Sequence, residues 1–344
     1  MSSTLIVREF DGDPAAWDRF VRDQAGWTHF HLYGWKGVYE RTYGHRGVYL
    51  AAYDGDALNG VLPLVHVRSL VFGKFLVSSP FVSYGGPLGG AMAIQALAEH
   101  ACARAKELGV KLLELRSRGA LPLTMPVSLR KITVVLDLPA DSPKPLWDRL
   151  DANVRRRVRR AEKAEITTRI GPEELEPFYR VFSHHMRDLG TPVHARRLFE
   201  ELLSTFPDDI WFGCSYYQGQ PIACIGGFEW NGEFEVTWAS ALVEHKQLAA
   251  NMLIYWAFIE RSIERGLRVF NFGRCTQDGG THRFKRQWEG ARDEQLHWYQ
   301  DRTADVAGTP SPDDPSYAWG PRLWKRLPRP LANILGPRIV RGIP

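Results

Sequence analysis

The feature that most constrains this chain is an internal repeat. Gly47–Tyr53 and Leu58–Val67 are β-rich runs parted by Asp54-Gly55-Asp56, a short-turn signal, so together they read as a hairpin. Ile210–Tyr217 and Ile222–Trp230 repeat this around Gln218-Gly219-Gln220. A helical pattern follows each hairpin. Ala91–Leu108 puts Ile94, Leu97, Ala101 and Ala105 at helical spacing and stops at Gly109, while Leu248–Arg265 stops at Gly266. A strand comes next in both copies, Val110–Leu115 before Arg116 and Leu267–Phe272 before Gly273-Arg274. Tyr217 lies 164 residues beyond Tyr53, and Gly266 lies 157 beyond Gly109, about half of the 344-residue chain. Unrelated units can coincide in so short a pattern, yet the steady offset favours tandem copies of one mixed α/β module.

The length agrees, because a single core seldom grows past about 250 residues. The expected division is a first domain over 1–140, a second over 141–302 and a Pro-rich basic tail over 303–344. Gly119–Pro145 reads as a linker interrupted by one strand, Lys131–Leu138. Hydrophobic residues at 44% and charged residues at 24% exclude disordered, collagen-like and coiled-coil chains. Cys102, Cys214, Cys224 and Cys275 show no C-x-x-C pair and no ligand-like His spacing, so no metal site is expected and the thiols read as reduced and cytoplasmic. Cys214 and Cys224 face each other if the hairpin forms, as small core residues. The first ten residues lack a signal-peptide pattern, and no 18-residue apolar run occurs, so no membrane span is expected. The tail admits two readings, a basic apolar contact with a membrane surface or a segment laid over a domain. The second is favoured because its prolines oppose a long amphipathic helix.

Four segments carry chemical interest. Arg155, Arg156, Arg157, Arg159 and Arg160 crowd into six positions of a helix capped by Asp151 or Asn153, with Val154, Val158 and Ala161 as its buried stripe. So one-signed a face attracts phosphate, although a solvated face is the ordinary alternative. Ser83-Tyr84-Gly85-Gly86-Pro87-Leu88-Gly89-Gly90 precedes a helix, where it either cradles an anion or only shapes a turn. Phe270–Trp288 is read as a strand ending at Arg274, a glycine-rich turn and a second run bearing Phe284 and Lys285. That puts two cations near one strand edge, suited to an oxyanion or phosphate. His184-His185 precedes Met186-Arg187-Asp188, but adjacent histidines on a helix diverge and make a poor metal pair. No P-loop and no strand-linked G-x-G-x-x-G occurs, which argues against P-loop and Rossmann enzymes.

These segments resemble the FemAB family, in particular its branch associated with exosortase and PEP-CTERM exopolysaccharide loci. The matching residues are Phe30–Trp35, Gly60–Leu64, Leu76–Gly86, Leu113–Arg116, the helix ending Arg160–Lys163, Met186–Pro192, Phe272–Arg274 and Phe284–Trp288. The resemblance implies an α/β, mixed-sheet fold of tandem GNAT-like acyltransferase domains, and transfer of an aminoacyl group from aminoacyl-tRNA to an amine of a peptidoglycan precursor. It implies that Lys285, with Arg274, stabilises developing negative charge. By the same resemblance Trp35, Tyr84 and Arg274 fall on motifs that line an acceptor cleft between the domains, Gly85, Gly86, Phe284, Arg187 and Asp188 bind substrate with Trp35 and Tyr84, and Arg155, Arg156 and Arg159 contact RNA or phosphate. Asn271 stands where many relatives of this branch carry an acidic residue, and the long coiled-coil arm of some Fem proteins is missing. No R-x-x-G-x-[GA] loop, the usual acyl-CoA signature, occurs either.

The expected function is therefore a cytoplasmic acyltransferase acting on an amino group of a cell-envelope or exopolysaccharide precursor. It is expected to hold no bound cofactor, since the acyl donor, aminoacyl-tRNA or acyl-CoA, is a co-substrate. Two alternatives are an acyl-CoA-dependent N-acyltransferase of an amino sugar and a non-catalytic RNA-binding or assembly protein on the same scaffold.

Overall fold

The computed structural model describes residues 5–302 and 324–343. Its first elements are β1 (Ile6–Glu9), α1 (Pro14–Arg22), α2 (Gly34–Tyr43), β2 (Arg46–Asp54), β3 (Ala57–Ser69), β4 (Gly73–Ser78), β5 (Leu88–Gly89), α3 (Ala91–Glu107) and β6 (Leu112–Ser117). The linker region holds β7 (Val127–Ser128), β8 (Lys131–Asp137) and α4 (Lys144–Arg149). Then come α5 (Ala152–Lys163), β9 (Thr167–Ile170), α6 (Leu175–Leu189), α7 (Arg196–Thr205), β10 (Ile210–Tyr217), β11 (Gln220–Trp230), β12 (Glu233–Ala241) and α8 (Ala250–Glu264). The chain continues through β13 (Val269–Thr276), α9 (Gly280–Arg286), β14 (Arg292–Gln295), β15 (His297–Arg302) and α10 (Arg329–Val340).

The repeat is structural. Strand, two helices, three antiparallel strands, helix and parallel strand occur twice, giving sheet orders β1-β2-β3-β4-β6 and β9-β10-β11-β12-β13. Both hairpins form where the turn signals place them, with Gly55 and Gly219 at positive φ closing them. Cys214 and Cys224 are register partners across β10 and β11, free and buried, and burial pushes both thiols up.

Each sheet is completed by a strand from outside its own copy, and this moves the domain limits. One compact unit takes 5–131, 295–302 and 338–343, and the other takes 132–294 and 324–337. Thus β8, expected inside a first domain ending at 140, lies beside β13 in the second sheet. β15, expected to close the second domain, pairs antiparallel with β6 from His297 opposite Ser117 to Arg302 opposite Leu112. The physical reason is that β6 and β13 would otherwise be edges with unpaired backbone groups, and each borrowed strand pairs one.

In the first unit Val48, Leu50, Leu62, Leu64 and Leu76 pack under Leu97, Ala101 and Ala105 of α3, with Leu113, Leu115 and Tyr299 closing the core. The core of the second is aromatic on both faces of its sheet. Phe178, Phe199, Phe212 and Trp238 interlock on the α6–α7 side, and Trp211, Phe234, Phe258 and Phe270 on the α8 side. Edge-on and tilted ring pairs of this kind each add about 0.5–1.5 kcal/mol beyond burial.

Residues 303–323 of the expected tail lie outside the described residues. Beyond them Trp324 is buried and Arg329–Val340 is helical, with Pro337 inside the helix. The helix is 12 residues long, short enough to accommodate its prolines: Pro330 sits in the first turn, where no backbone donor is needed, and Pro337 lies in the C-terminal half.

Candidate active site of the second unit

β12 and β13 run parallel only from Glu233 opposite Val269 to Glu235 opposite Asn271, and then they part. At that point the register between β11 and β12 jumps, so Thr237 is an extra residue bulged out between Val236, opposite Gly227, and Trp238, opposite Gly226. The bulge reverses which side chains face each layer, so Phe234 packs on the α8 side and Trp238 on the α7 side. Two glycines make the crowding possible. A Cβ at Gly227 would collide with the Glu235 carbonyl, and one at Gly273, whose φ is +77°, with the Val236 carbonyl. The Thr237 hydroxyl is buried at the bulge without a hydrogen-bond partner among the described residues.

Lys285 enters this corner from α9. Its ammonium donates to the Gly273 carbonyl at 2.6 Å and the Arg274 carbonyl at 3.0 Å, and the residue is only 4% exposed. Burial lowers its pKa to about 8, against an opposing pull from Cys275 and Glu235. A buried network lies beneath. The Asn271 Oδ1 accepts from Thr133 Oγ1 at 2.5 Å and from the Gly273 amide at 2.8 Å, while Asn271 Nδ2 donates to Glu233 at 2.8 Å. An amide side chain can both accept and donate here, which a carboxylate cannot. Asn271 thereby ties the parting point to β8 and β12. The helix carrying Lys285 is fixed by His282, whose Nδ1 accepts from the Asp278 amide at 3.0 Å. Its Nε2 therefore carries the proton and donates to Asp293 at 2.9 Å.

A lysine pKa lowered on folding has a stability consequence. The unfolded chain binds that proton more tightly, so stability rises with pH from about 8 towards the ordinary lysine value. Between pH 7 and 9 the gain from this group is on the order of 1 kcal/mol. Denaturant titrations at both pH values should show the wild-type protein gaining about that much relative to Lys285→Met; equal slopes contradict the buried charge.

The sequence expectation of two runs meeting at a strand edge is corrected in one respect: Lys285 and Phe284 sit on the short helix α9. Lys285, Arg274 and Phe284 still come together, Arg274 through its carbonyl and Phe284 half-buried with its ring edge-on to Tyr255 at 5.0 Å. Arg187 and Asp188 are spent largely on each other, Arg187 Nε lying 3.0 Å from Asp188, which also meets His184 at 3.3 Å. His185 turns the other way and bonds Ser240 of β12 at 3.0 Å, with burial holding its imidazole below the usual range. The adjacent histidines diverge, as helix geometry requires.

The arginine helix is α5, capped by Asp151, whose side chain accepts from the Asn153 amide at 2.7 Å. Val154, Val158 and Ala161 are its buried residues. Arg155 reaches the Asp148 carbonyl and Arg156 the Asn153 side chain, while Arg159 lies 5.6 Å over the Trp147 ring. None of the three has an acidic partner among the ion pairs of the described residues.

The remaining residues lie in the first unit and are packed in its interior. Trp35 and Tyr84 are 1% and 0% exposed; Trp35 Nε1 donates to His29 at 3.1 Å, and the Tyr84 ring packs on Phe30 at 5.6 Å. Gly85 gives its amide to the Arg116 carbonyl, and Gly86 backs against that same carbonyl. The glycine-rich run thus shapes a turn. It wraps the buried pair of Glu114 and Arg116, 2.8 Å apart, which no motif marked as a pair.

Residues 149–286 match the Acetyltransferase (GNAT) domain family. No curated protein matches the chain. Among solved structures it is similar to FemX, at 11% identity and a TM-score of 0.64, over 84% of this chain and 96% of that one. It is similar to L-PGS from Bacillus licheniformis, at 14% identity and 0.55, over 96% and 97%. A tandem GNAT protein from the clavulanic acid biosynthesis pathway matches at 12% and 0.55, over 88% and 100%. The domain match makes the second unit GNAT-like and indicates an acyltransferase. Over most of its length the chain shares with these proteins a fold of two units in one polypeptide.

Proposed function

We propose that the protein transfers an activated aminoacyl group from aminoacyl-tRNA to an amino group of a cell-envelope or exopolysaccharide precursor in the cytoplasm. The observation that carries this reading is Lys285, a buried cation held by two carbonyls where β12 and β13 part. Of its three donors two are used, which leaves one N–H for a third acceptor. The acceptor amine attacks the carbonyl carbon of the donor, and charge develops on the carbonyl oxygen, where the Lys285 ammonium and the orphaned Thr237 hydroxyl supply donors. The bond to the ribose oxygen then breaks, and that oxygen leaves with the proton lost by the amine, so the balance needs no further reagent. The resemblance to the FemAB family supports the aminoacyl reading, and Arg155, Arg156 and Arg159 of α5, without an acidic partner among the ion pairs of the described residues, suit a polyphosphate donor.

The acetyltransferase description of the matched domain favours a second reading, an acyl-CoA donor acting on an amino sugar. The test is incubation with charged tRNA or with an acyl-CoA pool, each with amino-sugar and peptide acceptors, read by mass spectrometry. Aminoacyl product from tRNA alone upholds the proposal, acyl product from CoA alone replaces it, and salt-dependent tRNA binding with no product favours a binding protein. Arg155→Ala/Arg156→Ala/Arg159→Ala is expected to weaken tRNA binding at least tenfold and to flatten its dependence on salt by about three phosphate contacts.

A further inference from the structure

Leu70 and Val71 stand fully in solvent at the turn between β3 and β4, 107% and 81% exposed. Single apolar residues on a surface need no explanation, but two adjacent aliphatics at one hairpin tip do. The tip is firmly built. Ser69 Oγ accepts from the amides of Val71 at 3.3 Å and Phe72 at 3.1 Å, and Lys111 donates to the Phe72 carbonyl at 3.4 Å. Gly342 packs so close to Ser69 and Phe72 that a side chain there would meet both. The order is therefore fixed before any partner arrives, and the two side chains gain nothing from their own fold.

The charged side chains that the described residues place at the tip, Arg68, Lys74 and Lys111, are all basic. Arg68 and Lys74 are direct cross-strand partners, an arrangement that like charges make unfavourable, and Lys111 joins them through its contact with Gly73. No Asp or Glu occurs between Asp56 and Glu99 to neutralise them. His66 registers the same field, its pKa lowered to about 4 by burial first and then by Arg68 and Lys74. Retaining repelling cations beside exposed aliphatics costs stability, and the cost is offset only when something negative and apolar meets them.

We propose that Leu70, Val71, Arg68, Lys74 and Lys111 form a docking element for bilayers that carry anionic lipid. A protein partner needs about 800 Å² on each side, and two side chains supply a small part of that. A bilayer interface instead takes two aliphatics at the acyl boundary and cations at the headgroups in one shallow contact. The element stands apart from the acyl-transfer reading and holds whichever donor is used.

The test is flotation of the full chain with vesicles of phosphatidylcholine, with and without one third phosphatidylglycerol, at low and high salt. Binding is expected only to the phosphatidylglycerol vesicles, at least tenfold weaker for Leu70→Asp/Val71→Asp and for Arg68→Glu/Lys74→Glu, with unchanged melting of the exposed-residue variants as the folding control. Absence of flotation with either vesicle, equal binding to both, or wild-type binding by Leu70→Asp/Val71→Asp overturns the proposal. So does concentration-dependent self-association that the same variant abolishes, which would make the tip an interface between copies of this chain.

Discussion

Lys285→Ala is expected to lower kcat by about 10²- to 10³-fold with little change in KM, the loss typical of a donor that serves the transition state more than the ground state. The position predicts this pattern. The ammonium is already paid in desolvation and already aimed by the Gly273 and Arg274 carbonyls, so no reorganisation is needed when charge appears on the substrate. The pH profile provides a readout that a merely structural lysine would not move. With the pKa lowered to about 8, the cation is present below that value and is lost as pH rises through it, so wild-type kcat/KM should fall on an alkaline limb near pH 8. Lys285→Arg, which stays charged, should retain partial activity and lack that limb. A Lys285→Ala enzyme that folds by circular dichroism and turns over like wild type would sink the assignment.

Much of this was legible in the chain, for identifiable reasons. Turn chemistry at Asp54-Gly55-Asp56 and Gln218-Gly219-Gln220, helical spacing in Ala91–Leu108 and the stop at Gly266 are local signals, and local structure obeys them. The strand exchange is not local. Nothing within Lys131–Asp137 distinguishes pairing with β13 from pairing in its own half, because an apolar strand buried on both faces reads alike in either sheet. The same limit hid the site's support. Asn271 is one polar residue between Phe270 and Phe272 until Thr133, 138 positions away, is seen to bond it. Trp35 and Tyr84 are ambiguous in another way, since aromatics beside glycines suggest a binding surface, and only the fold shows how deeply both rings are packed.

The second large effect belongs to Arg116, which is expected to lose about 3–5 kcal/mol of stability when replaced by Met, or roughly 10 °C or more in melting temperature for a unit of this size. The pair it forms with Glu114 is buried on both sides, 4% and 4% exposed, so removing the cation strands a carboxylate away from water. Each remaining contact raises the stakes. Arg116 Nη1 donates to the Val82 carbonyl at 3.0 Å, its guanidinium lies 4.4 Å over the Trp298 ring, and Gln300 of the borrowed strand donates to Glu114 at 2.7 Å. Together these tie β6 to β15 and to the Ser79–Tyr84 turn, where Ser79 at φ +46° and Phe81 at φ +70° hold left-handed backbone that the surroundings must enforce. Amide exchange in that turn should therefore quicken in Arg116→Met before global unfolding does. The decisive comparison is Glu114→Leu/Arg116→Met. If the loss comes from the stranded charge, the double variant recovers at least half of it in a denaturant titration; if it comes from lost packing over Trp298, the double variant is no more stable than the single.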